Sequence, residues 1–398
     1  MLQNVLKERI EFVGRKKIGF LNFSFGKSIY RDLPNLLSSD YEVVFISSME
    51  EVGALERGLK TLSLLITFSE YTPPYVEVIA RARRAGVETL ILMDGISDWR
   101  NSFERPFGKD DLSYAPPESP FQLPSLCTYI ACIGFNQFTF LSKFGNSEKV
   151  ILTGSPKLDD FYTESRAYAL SIDKAGTQPS GKKILICTAR TPAFNKHQME
   201  KLMSFLEAGK SALKDSGYQL NWRVSFDIAE QLGVSNSTQS LIDDLANTDV
   251  VLTSPSTLGI ESMMLEKPTA ILNPFNSPLF LQSPWVLNSV DDFDLLDEMV
   301  DPPMHKMLYQ ELMLELNYNT GYNSRENLLI AINNIVDGRF IENGRVKIST
   351  RNHDFSITDI FEDRINTSKL KENNRLGIVE NLLKRIDDLK NKGGPFEE

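Results

Sequence analysis

Two runs of the chain place chemistry-bearing side chains at spacings a ligand could use. In the first, Val250-Val251-Leu252 leads into Thr253-Ser254-Pro255-Ser256-Thr257, with Glu261 following. The apolar triplet reads as a buried strand, the hydroxyl-rich stretch as a turn, and a helix begins at about Thr257. A helix start offers unpaired N–H groups and positive potential, which suits a phosphate. Ser254, Ser256 and Thr257 add hydroxyl donors, and Glu261, one helical turn further, reaches a ribose diol. An ordinary N-cap at Ser256 with Glu261 on the surface would use the same residues. In the second run, Leu92-Met93-Asp94-Gly95 puts a carboxylate just past an apolar strand, at the sheet edge where α/β proteins hold ligands. Gly95 permits a tight turn there. A plain Asp-Gly turn is the alternative. Arg100 and Arg105 follow and either meet an anionic substrate or remain solvated.

Three further positions carry charge next to predicted strand ends. Arg190 follows the strand at Lys183–Cys187 and could hold a phosphate bidentately. Asp227 follows a strand expected at Asn221–Phe226, where it serves either as a nucleophile or as the cap of the next helix. Asp159 and Asp160 follow Thr153-Gly154-Ser155-Pro156-Lys157-Leu158. Other chemistries lack their residues. The three histidines, His197, His305 and His353, are far apart, and Cys127, Cys132 and Cys187 have no metal-cage or disulfide spacing, so carboxylates must do any acid–base work. There is no Walker loop and no Gly-x-Gly-x-x-Gly fingerprint.

The elements that must position these residues alternate. Strands are expected at Lys17–Phe23, Glu42–Ile46, Ser63–Thr67, Thr89–Met93, Thr128–Ile133 and Val150–Thr153, with a helix over Tyr75–Ala85 stopped by Gly86. Runs such as Leu64-Leu65-Ile66 have no polar alternation, as parallel strands buried on both faces require. From Tyr162 to Lys182 the pattern lapses, and a second set follows. It has strands at Lys183–Cys187, Asn221–Phe226, Val250–Leu252 and Thr269–Leu272, and helices at Gln198–Ser216, Leu241–Leu245, after Ser256, at Pro303–Leu316 and at Ser324–Val336. The expectation is an α/β protein of two doubly wound units around a cleft: residues 1–161, a linker at 162–182, and residues 183–338. A polar tail, 339–398, carries Leu376, Val379, Leu382, Leu383, Ile386 and Leu389 at helical spacing, an amphipathic helix suited to docking on its own domain, to self-association, or to connecting to a further module or a membrane surface.

The run from Asp249 through Ser254, Ser256 and Glu261 to Glu266-Lys267-Pro268 resembles the donor-binding segment of GT-B glycosyltransferases. It is also similar to that of the polyol-phosphate transferases and non-hydrolysing sugar epimerases of the same fold. Thr153-Gly154-Ser155-Pro156-Lys157-Leu158-Asp159 looks like the hinge that ends the first domain of such enzymes. The resemblance implies two Rossmann-like domains facing a cleft, with nucleotide-sugar contacts at Arg190, Ser254, Ser256, Thr257 and Glu261. Acceptor or hinge roles fall to Gly95, Arg100, Gly154 and Asp159. The Asp94-Gly95 turn resembles the acidic-Asp-Gly motif of bacterial sialyltransferases, polysialyltransferases and capsule β-Kdo transferases, in which the Asp is the general base. Met93 stands here in place of the preceding acid. Many of these families have His-Pro at the end of the second strand of the second domain; this chain has Arg223-Val224-Ser225-Phe226-Asp227 instead.

The implied activity is transfer of a sugar from a nucleotide-activated donor, favoured as CMP-Kdo or a similar CMP-linked keto-sugar, to a glycan or lipid-linked acceptor in surface-polysaccharide synthesis. A UDP-sugar or CDP-polyol transferase, an epimerase and a non-catalytic glycan-binding scaffold are the alternatives. With no Asp-x-Asp motif at a strand end, neither a metal nor another cofactor is expected. Composition agrees with a globular chain: 398 residues, 41% hydrophobic and 24% charged. A net charge of -10 opposes a nucleic-acid footprint. No membrane span and no signal peptide is read, so the expected location is cytoplasmic, at most peripheral at the inner face of the membrane.

Overall fold

A computed structural model describes residues 15–23, 30–48, 59–70, 73–104, 125–175, 182–318 and 323–339. Arg105, the tail beyond 339 and its expected helix over 376–389 lie outside the described residues. Both sheets belong to one unit, Met1–Val346.

The first sheet is six-stranded and parallel throughout, in the order β2-β1-β3-β4-β5-β6. Its strands are β1 (Lys17–Leu21), β2 (Glu42–Ile46), β3 (Leu62–Thr67), β4 (Glu88–Leu92), β5 (Tyr129–Cys132) and β6 (Val150–Leu152). The connecting helices include α1 (Leu33–Leu37), α2 (Pro73–Arg84), α3 (Trp99–Phe103) and α4 (Phe135–Leu141). Leu64, Leu65 and Ile66 are fully buried, because helices cover both faces.

After β6 the chain enters α5 (Pro156–Ala175). Residues 162–175, expected to lapse from regular structure, are therefore the greater part of a helix. Pro156 sits at its first position, where a missing N–H costs nothing. The helix leads to a second parallel sheet, order β11-β10-β9-β7-β8. Its strands are β7 (Lys183–Cys187), β8 (Gln219–Arg223), β9 (Val250–Thr253), β10 (Thr269–Leu272) and β11 (Trp285–Leu287). Among them run α6 (Lys196–Asp215), α7 (Phe226–Leu232), α8 (Leu241–Ala246) and α9 (Thr257–Met264), followed by α10 (Leu296–Val300), α11 (Met304–Asn317) and α12 (Ser324–Val336).

Two expectations change. The strand placed at Asn221–Phe226 ends at Arg223, and Phe226 opens α7 after an extended Ser225. More consequentially, the last helix does not close the second unit. Leu328, Ala331, Ile332 and Ile335 of α12 pack with Ile18, Phe20, Leu64, Ile66 and Leu90 of the first sheet. Its apolar stripe covers a sheet face that the chain left behind more than a hundred residues earlier. A second shared core, with Ile133 and Leu158 against Ile260, Met263, Ile271 and Leu314, joins the halves through the end of β5, α5, α9, β10 and α11.

Candidate functional site

The turn after β4 is fixed from two sides. Behind it, buried Gln137 of α4 donates to the carbonyl of Gly95 at 3.0 Å and to Ser97 Oγ at 3.2 Å, while its own carbonyl oxygen accepts from Ile133 N–H at 2.9 Å. In front, the N–H of Ile96 donates to Thr257 Oγ1 at 3.3 Å, from the first residue of α9. A Cβ at Gly95 would lie 2.4 Å from that hydroxyl oxygen, so the close approach requires glycine. Asp94, exposed at the tip of this turn, is left facing a cavity.

The cavity holds about 380 Å³ at the carboxyl edge of the first sheet. Leu92, Ala131, Phe68 and Leu328 line it with apolar surface, buried Tyr30, Thr153 and Ser155 add polar groups to the wall, and exposed Arg31, Asp94 and Lys157 form its rim. Lys157, the second residue of α5, reaches across the cleft: its Nζ is 3.6 Å from Glu261 Oε1.

Glu261 is buried one turn inside α9. Burial raises its carboxyl above the ordinary glutamate value, with Lys157 and Arg223 pulling in the opposite direction. The residues leading into α9 knit the edge of the second sheet. Ser254 Oγ accepts from Ala189 N–H at 2.6 Å, holding the turn after β7 against the turn after β9. Ser256 occupies the N-cap, but its hydroxyl lies 3.1 Å from Thr253 Oγ1 and caps no helix N–H. The N–H groups at the start of α9 thus lack the usual side-chain partner. Nearby, the buried Thr188 Oγ1 has no hydrogen-bond partner among the described residues, and Arg190 beside it is exposed.

The remaining sequence candidates have other surroundings. Arg100 is buried: it donates to the Pro192 carbonyl at 2.9 Å and to Gln198 Oε1 at 2.8 Å, pairs with Glu104 at 3.1 Å, and lies 3.7 Å over the Phe275 ring. It is a bridge between the halves rather than a residue of the cavity. Gly154 has φ +78°, and a Cβ there would meet Ser324 Oγ at 2.3 Å. Asp159 accepts from Tyr318 O–H, from Ser324 N–H at 2.8 Å and from Ser324 Oγ at 2.9 Å, which ties the start of α12 to α5. Asp227 is exposed in the first turn of α7 and is not among the residues around the cavity. Lys267, in the quoted Glu-Lys-Pro segment, donates to the carbonyls of Ala246 and Thr248 at 3.2 and 2.7 Å, so it closes the end of α8.

Three residues of the site had no role in the sequence reading: Lys157, Arg31 and Gln137. Lys157 left a signal, because it follows a proline that opens a helix directly after a strand. Arg31 and Gln137 left none. Among the described residues, no three His, Cys, Asp or Glu side chains are grouped as metal ligands, and no helix is long and apolar enough to cross a membrane.

Neither a family model nor a curated protein sequence matches the chain. Solved structures do resemble it. One is described as a UDP-N-acetylglucosamine 2-epimerase from Listeria monocytogenes: TM-score 0.54, 11% identity, covering 86% of this chain and 100% of that one. Another is MnaA of S. aureus in a co-structure with UDP: TM-score 0.52, 14% identity, 81% of this chain and 97% of that one. A third is the wall teichoic acid polymerase TagF, H444N, with CDPG: TM-score 0.51, 13% identity, 85% of this chain and 93% of that one. At these identities the likeness establishes the fold, which is GT-B: two parallel sheets with flanking helices and a closing helix that returns to the first.

Proposed function

We propose that the chain is a glycosyltransferase that moves a sugar from a nucleotide-activated donor, held at the start of α9, to an acceptor in the cavity of the first half. The observation that carries this reading is the Ile96–Thr257 hydrogen bond. It sets the turn that bears Asp94 against Thr257, the first residue of α9, and so supports a reading in which Asp94 acts as base beside a donor held at that helix start.

In this mechanism the second sheet with its helices through α11 forms the donor side, and residues 1–161 together with α12 form the acceptor side. The donor phosphate sits against the positive end of α9, whose N–H groups have no side-chain cap, with Ser254, Ser256 and Arg190 as further donors, and Glu261 accepts from the ribose hydroxyls. Asp94 takes the proton of the acceptor hydroxyl as its oxygen attacks the anomeric carbon. The bond from that carbon to the phosphate oxygen breaks, and the nucleotide leaves with the electron pair, stabilised by the helix end. The configuration inverts. A positive helix end and a phosphate leaving group suffice for this step, so the mechanism invokes no metal. Asp227 enters only if retention is observed: loss of transfer in Asp227→Ala, with a sugar adduct on the wild-type residue, would replace single by double displacement.

The resemblance of the Asp94-Gly95 turn supports a CMP-linked keto-sugar as donor and surface polysaccharide as the setting, with the tail as a tether to a partner or the membrane face. The names of the structural neighbours speak for UDP- and CDP-linked donors. Thermal melting with CMP, CDP and UDP at millimolar concentration decides: a bound nucleotide at about 100 times its Kd stabilises by about 2.7 kcal/mol. Ser254→Ala and Glu261→Ala should weaken that response. If no nucleotide raises the Tm, the catalytic reading falls and a scaffold remains. Interconversion of UDP-N-acetyl sugar epimers without any acceptor would replace transfer by epimerisation.

A further inference from the structure

We infer that the cavity at the edge of the first sheet binds an acceptor through an anionic group, a phosphate monoester or a carboxylate, held between Arg31 and Lys157. This rests on the acceptor role proposed for the cavity and names the chemistry it selects.

Both cations stand on the cavity rim, and each is only loosely engaged. Arg31 Nε is 4.0 Å from Asp160, and Lys157 Nζ is 3.6 Å from Glu261, both longer than a charge-assisted hydrogen bond. Their side chains are 47% and 45% exposed, so turning toward a ligand costs little desolvation. The neighbouring acids have better partners or stand at long range. Asp160 is already bound by Arg325 at 2.6 Å, and Arg325 also holds Asp32 at 2.9 Å. Glu261 is buried and stays 3.6 Å from Lys157 Nζ.

Among the described residues, the cavity lining thus carries two cations against one carboxylate, Asp94. That carboxylate is the base of the proposed mechanism and belongs beside the acceptor hydroxyl, not beside its anion. Lys157 also sits in the first turn of the 20-residue α5, whose positive end adds to the same field. Below the rim, Leu92, Ala131 and Leu328 offer an apolar surface to the carbon skeleton. An uncharged sugar would leave both cations with their long contacts. A phosphate or carboxylate shortens them.

Isothermal titration of the full chain at fixed ionic strength tests this with two matched pairs: glycerol 3-phosphate against glycerol, and glucuronate against glucose. The expected result is at least about tenfold tighter binding of an anion than of its neutral counterpart, lost in the double variant R31Q/K157Q and kept in R31K/K157R. The pair that shows the preference identifies phosphate or carboxylate. Equal binding of anion and neutral compound in the wild type overturns the inference, and so does a preference that survives in R31Q/K157Q. Should the glutamine variant fail to fold, the same titration on R31Q and K157Q singly replaces it. Nucleotide melting shifts on the same samples separate the two claims. An intact nucleotide response without anion preference overturns this inference alone, whereas anion preference without a nucleotide response overturns the donor reading alone.

Discussion

Gly95 and Thr257 meet so closely that a Cβ on the glycine would stand 2.4 Å from the threonine hydroxyl oxygen. The obstruction is a side chain and not backbone, so it is removable. Gly95→Ala is expected to destabilise by about 1–3 kcal/mol, the usual range for overpacking. Adding Thr257→Ala should recover at least half of that loss, although Thr257→Ala alone only removes a hydrogen bond. Urea unfolding of the four proteins gives the coupling energy; simple additivity would mean that the two residues do not touch in solution.

Asp94, the base of the proposed mechanism, is exposed beside the cavity. Asp94→Asn should lower turnover by about 10²–10⁴-fold, the range for a lost general base, while leaving the nucleotide-induced Tm shift unchanged. Wild-type turnover in this variant would remove Asp94 from the mechanism.

Asp159 should prove structural. Its carboxylate takes three hydrogen bonds from Tyr318 and Ser324, and Ser324 is fully buried. Asp159→Ala leaves those donors unpaired at about 1–3 kcal/mol for each buried group, and we expect a total loss of about 2–4 kcal/mol. Hydrogen exchange should show α12 opening ahead of the second sheet. A stable variant that fails only in catalysis would return Asp159 to the site.

Glu70 makes stability depend on pH in an unusual sense. Its buried carboxylate accepts from Ser125 Oγ at 2.7 Å and Cys127 N–H at 3.1 Å, yet burial outweighs these bonds and raises its pKa. A raised native-state value means that the folded chain holds the proton more tightly than the unfolded one. The stabilisation from Glu70 is therefore full below the unfolded value of about 4.5 and is lost as pH rises through the native one. Glu70→Gln keeps an acceptor and cannot ionise. The Tm difference, variant minus wild type, should grow more positive from about pH 5 to about pH 8. A constant difference would show that Glu70 keeps its ordinary value.

What the sequence determined by itself was local. Short, uninterrupted apolar runs such as Leu64-Leu65-Ile66, spaced between helical segments, point to strands covered on both faces, and a strand followed by a turn and a helix puts the turn at the carboxyl edge of a sheet. The position of Asp94, Ser254 and Ser256 just past strand ends was legible for that reason. Short elements were not: β11 is three residues in a proline-rich stretch, and the helix of Asp227 begins where the strand before it was expected to continue. Tertiary structure alone decided which edges meet. Ile96 and Thr257 are 161 residues apart, and Lys157 faces Glu261 only because α5 carries the chain from one sheet to the other. Periodicity reports which face of an element is apolar, not what covers it. The stripe of α12 is the same whether it packs on the second sheet, as its position in the chain suggested, or on the first, as it does. Arg100 shows the same limit for charge: an arginine in a polar stretch reads as solvated until Phe194, Phe275 and the Pro192 carbonyl are brought around it from the other half.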